Sequence, residues 1–484
     1  MATIKTDKNE YEIVIGLEIH AQINTKSKLF SYSSTEFGSS PNSQVSFIDA
    51  ALPGMLPILN QEAIKKTIKT GLAIGATVNL LSIFDRKNYF YADLPQGYQI
   101  SQFSDPLISG GKITIKDDDD NDKDIHLTRI HVEQDAGKSI HDQNPEKSFI
   151  DLNRSGVPLM EIVTEPELRS SKEAAEFVKK LRNILRYIDS CDGDMEKGSL
   201  RCDANISLRQ KNTTEFGTRC EIKNLNSIKH IQLAINYEVQ RQAEILDKGN
   251  QVKQQTRLFD ITNLETRAMR DKEDAHDYRY FPDPDLLPLI LEQSFVNEIK
   301  GSLPELPDNK KLRYISEYHL TEYDAEVITA DKNTAIFFED LILAKCNIKL
   351  AVTWLTSELF SRLKKSELKI INSPVSAKNL AELITLIENN IISGKIAKDV
   401  LDKMFQTGKD AKSIVKSEGL EQITDDNFIQ DTINKVLQNN LDKVSQYKAG
   451  KEKLFGFFVG QVMKETKGKA NPAIVNKVLK ENLL

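Results

Sequence analysis

Apolar and polar residues alternate in four stretches of the first half of the chain. Across residues 13–23, isoleucine, leucine and alanine take the odd positions, whereas Glu18, His20 and Gln22 take even ones. His131 and Glu133 interleave with Ile130 and Val132; Arg201, Asp203, Asn205 and Arg209 share one phase of residues 200–209; Arg219, Glu221 and Lys223 share one phase of 219–223. A period of two predicts β-strands with one buried face, so each set lies on one side of a sheet. Two readings follow. The polar faces can simply meet water, as in many antiparallel sheets. Alternatively, a wall of Glu, Asp, His and Asn next to bases is the donor set of a hard cation and a phosphate. Residues such as Thr and Lys, common on solvated faces, are few here, which favours the second reading.

Helical spacing replaces alternation at residues 171–189, through Ala175, Val178, Leu181, Leu185 and Ile188, and again at 228–246. Pro282, Pro284 and Pro288 then interrupt the pattern, and residues 303–307 read as a linker. Beyond them the chain is helical throughout. Thr321 opens one helix as a capping box with Asp324, and Ser376 precedes another that stops near Ser393 and Gly394. Asn471 and Pro472 form an N-cap with proline at the first helical position, and Gly456 and Gly460, one turn apart, suggest close packing of the preceding helix. The expected organisation is α+β: a mixed or antiparallel-sheet cradle over 1–292, a helical domain over 293–408 and a small helical tail over 409–484.

A chain of 484 residues is too long for one core, which agrees with several domains. Net charge −6, with 28% charged and 39% hydrophobic residues, is that of an ordinary globular protein. No stretch reaches the roughly 18–20 apolar residues of a membrane span, and the N-terminal residues lead into a strand rather than a signal-peptide core. Cys191, Cys202, Cys220 and Cys346 show no C-x-x-C spacing and are expected as core thiols in a reducing, cytoplasmic setting. From Tyr447 onward eight lysines face three glutamates, in a chain that is acidic overall. That segment is either the solvated end of a helical bundle or a basic module for nucleic acid.

Several motifs fail. DAGKS at 135–139 ends like a phosphate-binding loop, but Val132 stands where its first glycine belongs. The acidic loop at 192–198 has lysine where a calcium loop requires glycine, and the aspartates of 117–122 form a solvated hairpin tip. No G-x-S-x-G or Ser-rich amidase stretch is present.

A run of further motifs identifies a resemblance: GLEIH at 16–20, DRKNYFY at 85–91, YQISQ at 98–102, DAGKS at 135–139, DLNRSGVPL at 151–159, GSLRCDAN at 198–205 and DYRYFP at 277–282. GQVMK at 460–464 and GKANP at 468–472 extend it into the tail. In this order they resemble the B subunits of the bacterial-type tRNA-dependent amidotransferases. The resemblance implies a heterotrimer with an amidase A subunit and a small C subunit. The B subunit would use ATP to phosphorylate the side-chain carboxylate of mischarged Glu-tRNA(Gln) or Asp-tRNA(Asn), which ammonia then amidates. It implies Mg²⁺ at Glu18, His20, Glu133, Asp203 and Glu221. Glu161 is a weaker candidate, since its segment does not alternate. Lys138, Arg154, Arg201 and Lys223 are expected on phosphate, Lys87, Asn88 and Tyr89 around the aminoacyl end, and Lys464, Lys467 and Lys469 on RNA.

Two departures from the family matter. Relatives carry zinc-type cysteine pairs where this chain has Ser31, Ser33, Ser46 and Asp49, so no zinc is expected and other bonds must hold that loop. Gln134 replaces a second glutamate beside Glu133, which lowers the local negative charge. A tRNA-binding scaffold without catalysis is the competing reading, and a free-standing ligase for a small carboxylic acid is a third; the donor set speaks against the former and the basic tail against the latter.

Overall fold

The computed structural model describes residues 3–140, 144, 146–271, 278–422, 426–466 and 469–483. It divides into two compact units between Leu306 and Pro307. The first is built on one large sheet of β1 (Glu10–Gln22), β2 (Asp122–Gln134), β3 (Pro158–Thr164), β4 (Leu200–Gln210), β5 (Cys220–Leu225), β6 (Gln255–Asp260) and β7 (Glu265–Asp271), flanked by shorter strands. Its spatial order is β7-β6-β5-β4-β1-β3-β2. These neighbours pair antiparallel except β5 and β6, which run parallel, so the sheet is mixed and the fold α+β as expected.

The central strand carries the alternation into register. Ile13, Ile15, Leu17, Ile19 and Ala21 are buried on one face of β1. Against that side of the sheet pack α1 (Ser171–Tyr187) and α2 (Ile228–Asp247), whose Phe177, Val178, Leu181, Ile231 and Ala234 join the same core. Each helix starts at a serine whose hydroxyl takes up a free amide: Ser170 accepts from Glu173 N at 3.1 Å and Ser227 from His230 N at 3.1 Å. With this face covered by helices, the even-numbered residues of β1 are left for the opposite one. A small three-stranded sheet of Asp85–Asn88, Tyr98–Ser101 and Phe281–Pro282 sits beside them, and Ser101 Oγ donates to Glu133 at 3.1 Å.

The boundary between the units falls inside the 303–307 segment read as a linker, later than residue 292. Helix Gln293–Gly301 buries Val296 and Ile299 in the first core, so the segment after 292 stays with the sheet. The second unit is helical and holds two apolar clusters. One runs from Tyr314 to Val415; the other joins Ile429, Ile433, Val436, Phe458, Val462, Val475 and Leu479. Thr321 caps its helix as expected, accepting from Asp324 N at 3.1 Å. Ser376 caps Ala377–Glu388, but Ser393 does not end that helix: its hydroxyl caps the next, Gly394–Thr407. Gly456 and Gly460 are a second correction, because a Cβ placed on either would meet nothing within 4 Å. They are exposed positions on helix Leu454–Glu465, not a packing groove. No helix among the described residues is long and apolar enough to cross a membrane.

Candidate metal and phosphate site

Register, more than proximity in sequence, assembles the polar face. Asp203 of β4 stands opposite Glu18 of β1, Arg201 opposite His20, and on the other side Glu161 of β3 opposite His20. Glu161 in turn stands opposite His131 of β2. His20 Nε2 is therefore central: 3.8 Å from Glu18, 3.5 Å from Glu133 and 3.5 Å from Glu161. Two donor groups share it, Glu18–His20–Asp203 and His20–Glu133–Glu161, with ligand atoms within 4.8 Å of one another in each. Carboxylate oxygens with one imidazole at this spacing suit a divalent cation of the Mg²⁺ class.

Glu221 is the predicted ligand that stands apart from these groups. It lies on β5, where it accepts from Thr256 Oγ1 at 2.9 Å and pairs with Lys223 at 3.1 Å. Lys223 also reaches Asp203 at 2.5 Å, so its ammonium bridges the two carboxylates. Electrostatics records the crowding. Burial disfavours protonated His20, yet the bond to Glu161 and the charges of Glu133, Glu161 and Glu18 carry its pKa up to about 9. Burial, then repulsion from Glu161, pushes the Glu18 carboxyl up against the pull of His20 and Lys223. For Glu161 burial is outweighed by His131 and His20, which hold its carboxyl well below the usual range. The acids crowd around His20 and Lys223, and a bound cation would relieve their mutual repulsion.

The bases fall into two kinds. Lys87 lies where burial opposes its charge but Glu133, Tyr280 and Glu161 raise its pKa, and its ammonium sits 5.1 Å from the Tyr278 ring centroid. Lys138 is exposed. Arg201 and Arg154 converge on Asp135 instead: Arg201 Nη2 donates to it at 2.8 Å, and Arg154 Nε approaches to 3.7 Å while donating to Ala136 O at 3.0 Å, with Arg154 Nη2 donating to Gly137 O at 2.7 Å. Arg154 thus braces the 135–139 turn. Asn88 is a bracket too, donating to the carbonyls of Tyr278 and Arg279 at 3.2 and 2.8 Å, and Tyr89 hydroxyl donates to Gln99 at 3.2 Å.

Two further residues join the face that the alternating strands define. Glu161 belongs to the centre, and His131, with Nε2 at 3.1 Å from Glu161, backs it. β3 is buried on both faces, which erased the alternation that would have pointed to Glu161. The register opposite His20 and His131 moves it from a weaker candidate to the centre.

In the second unit Lys448, Lys451, Lys453, Lys464, Lys477 and Lys480 are exposed. Lys469 Nζ donates to Gly419 O at 2.5 Å, and Lys467 lies outside the described residues.

Residues 13–297 match the model of the GatB/GatE catalytic domain, and residues 336–483 match that of the GatB domain. The B subunit of the aspartyl/glutamyl-tRNA(Asn/Gln) amidotransferase from Wolbachia pipientis wMel is 59% identical over 476 residues, covering 98% of this chain and 99% of the relative. The B subunit of the same enzyme from Rickettsia bellii (strain RML369-C) is 58% identical over 483 residues, covering 100% of both chains.

Proposed function

This chain belongs to the family of aspartyl/glutamyl-tRNA(Asn/Gln) amidotransferase B subunits, and on that premise we propose how its polar face serves the reaction. The chain is the amidotransferase component that acts on glutamate or aspartate carried by tRNA. The side-chain carboxylate attacks the γ-phosphorus of ATP and ADP leaves. Ammonia then displaces phosphate from the acyl phosphate, giving the amide on Gln-tRNA(Gln) or Asn-tRNA(Asn). The observation that carries this reading is the convergence of Glu18, His20, Glu133, Glu161 and Asp203 from four strands on one patch.

His20 would hold one Mg²⁺ either with Glu18 and Asp203 or with Glu133 and Glu161, and Glu221 stands beside Asp203, both paired with Lys223. When bound, the metal neutralises charge on the transferring phosphoryl oxygens. Lys87 supplies a fixed positive charge beside Glu133 and Glu161, suited to the substrate carboxylate or its acyl phosphate. Lys223, paired with Asp203 and Glu221, would be available to a phosphate oxygen once those carboxylates held a cation. Arg201 and Arg154, held on Asp135, keep a positive rim at the edge of the site, with Lys138 exposed beside them. Tyr89 and Asn88 set the wall around the aminoacyl end.

The partners are an amidase A subunit, source of the ammonia, and a small C subunit, in a cytoplasmic heterotrimer. The exposed lysines of the tail, Lys464 among them, meet the phosphates of tRNA. The test is the reconstituted heterotrimer given ATP with Glu-tRNA(Gln) or Asp-tRNA(Asn). ATP hydrolysis that requires a mischarged tRNA is expected. Binding of tRNA without such hydrolysis would favour a scaffold.

A further inference from the structure

Beside the acid cluster runs a chain of aromatic rings, of which the chemistry above uses only Tyr89. Phe103 and Tyr280 are stacked, with centroids 4.3 Å apart and planes 10° from parallel. Tyr280 meets Tyr278 edge-on at 6.1 Å, Tyr278 meets Tyr89 at 6.0 Å, and Tyr89 meets Tyr91 at 5.7 Å. These rings come from segments nearly two hundred residues apart, so the fold, not a local repeat, lines them up. The row is open to solvent at both ends: Phe103 is 47% exposed and Tyr91 56%. Large aromatic surface left in water next to a charged site marks a binding surface more often than a packing remnant.

The row is also rigidly mounted. Arg86 donates to Asp283 at 3.0 Å and to Asp285 at 2.8 Å, tying the two segments together, and Asn88 N donates to Tyr278 O at 2.9 Å. It adjoins the reacting groups as well. Ser101, two residues before Phe103, touches Glu133, and Lys87 lies over Tyr278. The Tyr280 hydroxyl is pushed up to about 12 by burial and by Glu161 and Glu133, against the pull of Lys87, which puts this ring within their field.

We propose that the Phe103–Tyr280 stack, continued by Tyr278, is a platform for an adenine ring, holding an adenosine whose phosphate or ester end points to the acid cluster. The proposal rests on the functional reading above, because both co-substrates of that reaction carry an adenosine: ATP itself, and the unpaired 3′-terminal nucleotide of charged tRNA. Stacking on aromatic faces is the usual means of holding an unpaired base next to a charged groove.

The test uses the assembled heterotrimer with Phe103→Leu and Tyr280→Leu, and with Phe103→Tyr and Tyr280→Phe as ring-retaining controls. Affinity is measured for ATP, for mischarged tRNA, and for the same tRNA lacking its terminal adenosine. Loss of one stacked base weakens binding by about 5- to 100-fold. The leucine variants should lose that much for one adenosine source, while the ring-retaining variants stay near wild type. A loss confined to ATP assigns the platform to the nucleotide; a loss seen only with intact tRNA assigns it to the 3′ end. Photolabelling of wild-type heterotrimer with 2-azido-ATP, and with tRNA ending in 2-azidoadenosine, checks the contact without any substitution. Unchanged affinities together with label on peptides lacking both Phe103 and Tyr280 would overturn the platform and leave the row as a surface for a partner protein. A wild-type heterotrimer without tRNA-dependent ATP hydrolysis would instead sink the functional reading, and the labelling would still report where adenine binds.

Discussion

The ammonium of Lys28 lies 3.1 Å from the carboxylate of Asp49, and their side chains are only 0% and 3% exposed. Asp49 is one of the four positions at which the family resemblance implies zinc-type cysteine pairs. Its carboxylate also accepts from Ser31 Oγ at 3.0 Å and from Ser46 N at 2.8 Å, so two of the other three positions bond to it. Lys28, three residues before Ser31, donates to this carboxylate and also to the carbonyl of Leu152 at 3.2 Å. A buried ammonium with fixed acceptors thus cross-links the segment.

Removing one partner of a buried pair leaves an uncompensated charge, at a cost of about 3–5 kcal/mol. Lys28→Ala should therefore lower the unfolding temperature and expose the segment around residues 37–58 to proteolysis. The double variant Lys28→Met/Asp49→Leu should recover part of the loss. Elemental analysis of the wild-type protein is expected to find no stoichiometric zinc. A single Lys28→Ala variant as stable as wild type would remove the pair from this role.

The metal face yields a second prediction. Glu18→Gln, Asp203→Asn and Glu161→Gln each keep side-chain size while removing one negative charge from a site that must balance Mg²⁺ and phosphate. Each should reduce tRNA-dependent phosphorylation by about 10²–10³ and leave tRNA binding near normal. Near-wild-type turnover in one variant would exclude that residue from the site.

How much of this could be read in advance depended on whether a side chain sat on a half-exposed strand. Glu18 and His20 on β1, and Arg201 and Asp203 on β4, stood out because one face of each strand is buried and the other polar. Glu161 did not, since β3 is enclosed on both sides and its sequence reads as a plain buried strand. Lys28 was invisible for a different reason: lysine is rarely interior, and nothing in its neighbours signals a carboxylate twenty-one residues later. Asn88 and Arg154 sit in motifs of the site, yet their hydrogen bonds go to backbone carbonyls, a distinction that only geometry makes. Caps at Thr321, Ser376 and Asn471 were legible because they depend on adjacent residues alone.

A pH-dependent prediction comes from the underside of the sheet. Glu238 on α2 is wholly buried and accepts from Arg241, Gln242 Nε2 at 2.8 Å and Thr266 Oγ1 at 2.9 Å, with Arg257 Nε at 3.4 Å. Burial opposes its charge, but the bonds to Arg241 and the rest hold its pKa below the ordinary 4.5. A depressed folded-state pKa contributes stability that is present above the unfolded value and is lost as pH falls through the folded one. Glu238→Gln should therefore be clearly less stable than wild type at pH 7, and the gap should narrow as pH drops below about 4.5. Calorimetry at several pH values reads this directly; a gap independent of pH would mean that the charge is not what Glu238 contributes.

The last prediction concerns the basic tail. Ala411, Ile414 and Val415 pack in the larger helical cluster, so a cut that respects the fold removes residues 426–484 and keeps that cluster whole. The truncated chain should still assemble with its partners and bind mischarged tRNA more weakly. Each lysine on a phosphate adds roughly 0.7–0.9 to the slope of log affinity against log salt. Exposed Lys448, Lys451, Lys453, Lys464, Lys477 and Lys480 lie on a module with its own small core, a form suited to reading the shape and backbone of folded RNA rather than base edges. The full-length complex should accordingly show the steeper salt dependence, by about one unit of slope for every one or two lysines engaged. Equal affinity and equal slope in both complexes would reduce the tail to a solvated surface and move tRNA recognition to the sheet unit.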